Sequence, residues 1–360
     1  MDCSHEKESI VSNLDFLNPK LGQIYEKCTF EDPAKRPSIT ELIHEFFVNF
    51  YTKIRKDDIF EYFANCENDP EIQFKLSFLY YNGLYVSRDI NKSIHCLTIA
   101  ANQNHSKAQF NLGVIYHEWP HVKRDMNKAI FFYSLAANQN DQYAQFKLGA
   151  FFYEDEHWTR DINKAIHYFT LAANQNNKSA QTNLGNIYYE GKYITRDISK
   201  AIHYYSLAAN QNDQSAQNVL GLIFCEGKYV TRDINKAIHY FTLAANQNNK
   251  HAQTSLGTVY YQGLYIIRDI NKAIHYFTLA ANQNNEFAQL NLGIIYYEGI
   301  YVERDINKAI HFFTLAADQN NKSAQTNLGN IYYEGKYIKR DLNKAIHYYS
   351  LAGIRMTNQL

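Results

Sequence analysis

The chain has 360 residues, 46% of them hydrophobic, which suffices for two or three ordinary domains or one long repeat array and excludes a disordered chain. Lysine plus arginine and aspartate plus glutamate are equal at 36 each, so the formal net charge is +0. That balance lacks the basic excess of a protein that neutralises nucleic-acid phosphates, and it offers nothing to an anionic membrane surface.

Only 5 prolines and 15 glycines occur, which suits helices better than a chain of many β-turns. The N-terminus, Met1-Asp2-Cys3-Ser4-His5-Glu6, is polar and carries no secretory pattern. No run of about 18 apolar residues marks a membrane-spanning helix. Cys3, Cys28, Cys66, Cys96 and Cys225 are odd in number, widely spaced and without a CxxC. They read as reduced thiols of a cytoplasmic or nuclear protein, not as a disulfide frame or a zinc site.

Residues 1–67 stand apart from the pattern that fills the rest. Ser38 or Thr40 can cap a helix through Glu41-Leu42-Ile43-His44-Glu45-Phe46-Phe47. A further helix with Ile59, Phe60, Tyr62, Phe63 and Ala64 reads as a cap on the repeats that begin near residue 68. Cys28 and the run Asp32-Pro33-Ala34-Lys35-Arg36-Pro37-Ser38 resemble the end of a protein-kinase C-lobe, where a Cys or Trp precedes D-P-x-x-R-P-[ST] and a helix comes next. The resemblance covers about residues 17–50 and implies a kinase remnant. The glycine-rich loop, the Lys–Glu pair, H-R-D-x-x-x-x-N, D-F-G and A-P-E are all missing from the sequence, so no kinase activity is expected. Arg232-Asp233 is a decoy, because the fifth position after Asp233 is Ile238 and not Asn.

From residue 68 to 352 one unit recurs. The leucine of a Leu-Gly pair returns at Leu112, Leu148, Leu184, Leu220, Leu256, Leu292 and Leu328, with a degenerate copy at Leu76, each 36 residues after the last. In the fourth copy Ala180, Leu184, Ile187 and Tyr188 occupy one face of a first helix. Gly185 lies inside that helix, where glycine costs roughly 1 kcal/mol against alanine, so a neighbouring helix is expected to pass too close for a Cβ. Gly191 suits a left-handed end. Asp197 is expected to cap a second helix whose buried stripe is Ala201, Tyr204 or Tyr205, and Ala208. Asn212 can take the positive φ at its end, and Asp213 can cap the next first helix. One hairpin cannot bury its stripe alone, so stacking is required. The expectation is an all-α, right-handed superhelical solenoid of about eight 36-residue helix-turn-helix repeats, with residues 353–360 as a tail.

These residues resemble the Sel1-like repeat, a relative of the tetratricopeptide repeat. The fourth copy matches at Ala180-Gln181, Leu184-Gly185, Tyr188, Gly191, Asp197, Lys200-Ala201 and Ala208-Ala209. It departs where the second glycine of the family's G-x-G is Tyr193 and where Asn212 replaces a terminal glycine; copies two and three carry Trp119 and Asp155 in place of the first glycine. The resemblance implies scaffold or adaptor work, often in signalling or in assembling membrane-bound complexes, and no catalysis.

Histidines recur at His95, His167, His203, His239, His275, His311 and His347. One per repeat places neighbours about 9–10 Å apart, too far to share a metal, so they read as a solvated face and no metal or cofactor is expected. No asymmetric catalytic site arises from a pattern every copy shares. Tyr189 and its equivalents, among them Tyr153, Tyr261, Tyr297 and Tyr333, lie one residue round from the core stripe. They suit either a binding surface or packing between repeats. Two first-helix positions change from copy to copy while the framework stays fixed. One holds Phe110, Phe146, Thr182, Asn218, Thr254, Leu290 and Thr326; the other holds Val114, Ala150, Asn186, Leu222, Thr258, Ile294 and Asn330. The candidate partner-binding residues are Tyr153, Asn186, Tyr189, Leu222, Tyr261, Ile294, Tyr297, Asn330 and Tyr333. The expected function is a non-enzymatic protein-interaction scaffold that takes peptides or partner domains on its concave face. The alternatives are a regulatory repeat region of a truncated or degenerate kinase and, less favoured, RNA binding by an array like that of pentatricopeptide proteins.

Overall fold

A computed structural model describes residues 69–83, 87–118, 122–154 and 160–354. The kinase-like segment, Cys3, Cys28, Cys66, Trp119, Asp155 and the tail beyond Ile354 lie outside the described residues. Among the described residues there are sixteen α-helices and no strand. The chain divides into two compact units, Met1–Asp125 and Met126–Leu360.

In the first unit the helices are α1 (Pro70–Asn82), α2 (Ile90–Asn102) and α3 (Ser106–Glu118). In the second they are α4 (Met126–Asn138), α5 (Gln142–Glu154), α6 (Ile162–Asn174), α7 (Lys178–Glu190), α8 (Ile198–Asn210), α9 (Gln214–Glu226), α10 (Ile234–Asn246), α11 (Lys250–Gln262), α12 (Ile270–Ala281), α13 (Glu286–Glu298), α14 (Ile306–Asp318), α15 (Lys322–Glu334) and α16 (Leu342–Ala352). Within each unit a first helix packs most closely on the second helix after it, and a second helix packs on the next first helix. The architecture is therefore a tandem array of helical hairpins, as the 36-residue period requires.

The caps fall where the sequence places them. Asp197 Oδ1 accepts the Lys200 backbone N–H at 2.9 Å, and Asp213 Oδ1 accepts that of Ala216 at 2.8 Å. Gly191 ends α7 at φ 60°. Asn212 takes φ 58°, while the Asp213 N–H donates to the Ala208 carbonyl at 3.0 Å to close the end of α8.

The core is shared between hairpins. Ala165, Phe169, Ala172 and Ala173 of α6 form one buried cluster with Ala180, Leu184 and Ile187 of α7. A Cβ built on Gly149 would lie 2.5 Å from the Phe169 ring, and one on Gly185 would lie 2.6 Å from the Tyr205 ring. The mid-helix glycine thus makes room for an aromatic ring. Burying that ring returns about 1.5–3 kcal/mol, more than the roughly 1 kcal/mol that glycine costs the helix. Of the two stripe residues left open by the sequence, Tyr205 is the buried one and Tyr204 is half-buried. Tyr188 lies on the expected face but in the last helical turn. Its half-buried ring packs against the clusters of Phe169 and Tyr205 and stacks on Tyr204, with centroids 5.9 Å apart and planes 4° from parallel.

Candidate partner-binding face

Two polar ladders run along the second unit and fix how neighbouring hairpins meet. The first is made of buried glutamines. Gln181 donates through Nε2 to the Ala173 carbonyl of the preceding hairpin at 3.2 Å, and its Oε1 accepts from Gln211 Nε2 at 2.8 Å. Gln145, Gln217, Gln253 and Gln289 accept in the same way from Gln175, Gln247, Gln283 and Gln319. Each glutamine adds a second donor to a carbonyl at the end of a second helix that already accepts the backbone N–H three residues on, as Ala173 does from Asn176 at 3.0 Å, and these bonds let a polar side chain sit 0–2% exposed beside the core alanines.

The second ladder joins the hairpin turns. Arg160 lies over the Tyr193 ring, 4.6 Å from its centroid, and donates to the Tyr193 hydroxyl at 2.7 Å. Arg196, Arg232 and Arg268 donate likewise to the hydroxyls of Tyr229, Tyr265 and Tyr301. This arginine position also closes the first helices: Arg304 donates to the Tyr297 and Glu298 carbonyls, both at 2.9 Å. The ladder explains Tyr193 in place of the family's second glycine, since the turn of one hairpin supplies the ring on which the previous arginine rests.

The tyrosine row of the candidate site lies against this ladder. Tyr153 meets Phe169 edge-on at 6.5 Å and Tyr193 of the next turn at 6.5 Å. Tyr297 meets Tyr337 at 6.1 Å, and Tyr261 meets Tyr301 at 6.4 Å while its hydroxyl donates to Glu298 Oε2 at 3.2 Å. Tyr189 and Tyr333 meet the inner rings Tyr205 and Tyr349 at 6.4 and 6.5 Å, and Arg340 lies over the Tyr333 ring. All are half-buried. Burial pushes the Tyr153, Tyr189, Tyr261 and Tyr297 hydroxyls above the ordinary tyrosine range, with Glu190, Glu226, Glu298 and Glu334 adding to the shift. These rings therefore serve inter-repeat packing with one edge and face outward with the rest.

The variable position splits in two. Asn186 Oδ1 accepts the Tyr205 hydroxyl at 2.7 Å, and Asn330 Oδ1 accepts that of Tyr349 at 2.7 Å. Leu222 and Ile294 instead sit half-buried on the clusters of Phe241 and Phe313. Successive first helices from α5 to α13 also touch one another, which second helices do not do to the same degree, so the first helices form the tighter layer. All nine candidates lie on that layer.

The seven recurring histidines are exposed on the second helices. No group of three or more His, Cys, Asp or Glu that could hold a metal occurs among the described residues. Cys96 and Cys225 are free, and burial pushes the Cys96 thiol up to about 11. No described helix is long and apolar enough to cross a membrane.

The Sel1 repeat profile matches eight successive segments, 70–105, 106–141, 142–177, 178–213, 214–249, 250–285, 287–321 and 322–353. No curated protein matches the chain. Among solved structures, the chain is similar to c5321, a protective antigen of uropathogenic Escherichia coli strains displaying an SLR fold. That match has a TM-score of 0.76 and 26% identity over 84% of this chain and 64% of the antigen, so it spans under two thirds of the antigen's length. A Sel1 repeat protein from Oxalobacter formigenes matches with a TM-score of 0.68 and 28% identity, over 82% of this chain and 87% of its own. With eight matched segments covering most of its length, the chain belongs to the Sel1 repeat family.

Proposed function

We propose that the repeat array is a non-catalytic scaffold that holds peptides or partner domains on the face formed by its first helices. The Sel1 repeat is a fold that typically mediates protein–protein interaction. The observation that carries the reading to this chain is the division of labour within each first helix. In α7, α9 and α13 the positions of Ala180, Gln181, Leu184, Gly185 and Ile187 are buried and fixed in type. The half-buried positions of the same helices hold side chains that differ between copies, Asn186, Leu222 and Ile294, with Tyr189 and Tyr297 beside the first and the last. A fixed frame with a changing, aromatic-rich outer row suits a surface that reads different contacts along one ligand. The net charge of +0 favours a protein ligand over RNA. The run from Asp32 to Ser38 favours a signalling setting in the cytoplasm, with the repeats as the recognition part of a kinase-derived chain.

Affinity capture and mass spectrometry test this. The wild type, a variant with alanine at Tyr189, Tyr261, Tyr297 and Tyr333, and a control with alanine at His203, His239 and His275 are compared, with circular dichroism confirming equal helix content. A partner retained by the wild type and the control but lost by the tyrosine variant supports the scaffold. Retention of every partner by the tyrosine variant overturns it.

A further inference from the structure

The turns of the last five hairpins form a row along one edge of the second unit. Arg232 and Arg268 donate to the hydroxyls of Tyr265 and Tyr301 on the next turn, and Arg304 lies 4.4 Å from the centroid of the Tyr337 ring, so the spacing of the row is fixed. One exposed turn position holds Lys192, Lys228 and Lys336 in three copies, but Leu264 in the α11–α12 turn and Ile300 in the α13–α14 turn. A second holds Thr195, Thr231, Glu303 and Lys339 in four copies, but Ile267 in the α11–α12 turn. At the end of the first helix, Glu190, Glu226, Glu298 and Glu334 are matched by Gln262 in that same copy. Three changes in one turn thus remove charge or polarity from a solvent-facing edge, and the next turn loses its lysine as well.

Leu264, Ile267 and Ile300 are 69%, 93% and 67% exposed, with Tyr265 and Tyr301 beside them at 59% and 45%. The fold does not demand apolar residues here, since Lys228 and Lys336 occupy the same place in neighbouring copies. At roughly 200 Å² for a large side chain, these fractions amount to about 600 Å², the size of the largest patch on an ordinary monomer and of a kind that marks an interaction site. A standard interface takes about 800 Å² from each partner, so the flanking turns must supply the remainder.

We propose that this patch joins two copies of the chain about a two-fold axis, with the turn rows antiparallel and the α11–α12 turn of each copy against the α13–α14 turn of the other. That register sets apolar on apolar, Leu264 opposite Ile300 of the second copy and the reverse. The two rows share one spacing, so the flanking turns meet as well, α9–α10 of one copy against α15–α16 of the other. Glu226 and Lys228 then face Glu334, Lys336 and Lys339 of the second copy, and each carboxylate meets an ammonium group. Lys228 and Lys336 lie over the rings of Tyr229 and Tyr337, whereas Glu226, Glu334 and Lys339 are exposed and in no ion pair among the described residues. A glutamate in place of Gln262 would face Glu303 of the second copy, and the glutamine removes that repulsion. Self-association goes beyond the scaffold reading and does not rest on it.

Sedimentation velocity of the full chain over about 1–200 μM tests this, with circular dichroism confirming equal helix content. The wild type should pass reversibly from monomer to dimer with a Kd on the order of 10 μM, as suits an interface at the small end of the specific class. Leu264→Lys combined with Ile300→Lys installs what the other turns carry and should weaken association at least roughly tenfold. Glu226→Lys or Lys339→Glu alone should weaken it roughly fivefold, and the two together should restore it. A wild type that stays monomeric, a dimer indifferent to the two lysines, or a combined charge swap that restores nothing would overturn the proposal. A monomeric wild type that instead sediments with phosphatidylserine-containing vesicles, and loses this with Leu264→Lys and Ile300→Lys, would assign the patch to a membrane and overturn it too.

Discussion

Tyr205 donates its hydroxyl to Asn186 across the α7–α8 hairpin at 2.7 Å, and Tyr349 repeats the bond to Asn330. In the other four hairpins wholly within the second unit the inner ring is Phe169, Phe241, Phe277 or Phe313, and the facing residue is Ala150, Leu222, Thr258 or Ile294. Asparagine occurs in that unit where a buried hydroxyl needs an acceptor. Asn186→Leu alone should therefore cost about 1–3 kcal/mol by stranding the Tyr205 hydroxyl, while Asn186→Leu combined with Tyr205→Phe should be close to neutral. Urea unfolding of the two single variants and the double variant gives the coupling directly, and an additive cycle would contradict it.

Gly185 faces the same ring from the other side. Gly185→Ala gains helix propensity of about 1 kcal/mol, yet its Cβ would sit 2.6 Å from two ring carbons of Tyr205. Overpacking of this kind costs typically about 1–3 kcal/mol, so the net change should be destabilising. Adding Tyr205→Leu should recover part of the loss, since the α1–α2 hairpin carries Ser77 and Leu97 at the same two positions. A stabilised single variant in thermal unfolding would show that the ring moves aside freely.

The glutamine ladder should couple neighbours. Gln217→Ala removes the donor to the Ala209 carbonyl at 3.1 Å and the acceptor for Gln247 at 2.8 Å. A loss of about 1–3 kcal/mol is expected, with a shallower urea transition as the hairpins on either side unfold less together. The adjacent Asn218→Ala is a poor control because the Asn218 Oδ1 is buried; Gln214→Ala, at an exposed position, should change little.

Acid should weaken the array through its helix caps. The backbone N–H groups of Lys164, Lys272 and Lys308 hold the Asp161, Asp269 and Asp305 carboxyls below their ordinary value of 3.8, helped by the lysine ammonium groups 3.4 Å away. A folded value below the unfolded one means that the stabilisation is complete above the ordinary aspartate range and is lost as pH falls through the folded value. Asparagine also caps helices, so Asn at these three positions should change the neutral urea midpoint little and flatten its decline below about pH 4. An unchanged acid decline would place the effect elsewhere.

The period, the caps and the close approach at Gly185 were legible in the sequence because each depends on residues fixed within one repeat. Asn212 could be read as a left-handed end for the same reason. The glutamine ladder was not legible. Gln181 is polar and comes directly after Ala180, so periodicity leaves it at the stripe's margin, and its partners Ala173 and Gln211 belong to the ends of other helices. The arginine-on-tyrosine contacts span 33 residues and join different copies, which no single-helix pattern displays. The pairing of Asn186 with Tyr205 did leave a trace, because asparagine and tyrosine appear together in the copies of Asn186 and Asn330. Read as changing contacts, those two positions looked like binding residues; in the fold they answer a buried hydroxyl.

Site-specific photocrosslinking tests the central claim most directly. p-Benzoyl-phenylalanine replaces Leu222 or Ile294 on the first helices, and His203 or His275 on the second helices, in otherwise wild-type protein. The account predicts that the captured partner crosslinks from positions 222 and 294 and not from 203 or 275. Crosslinks from 203 and 275, with none from 222 and 294, would place recognition on the opposite layer and contradict it.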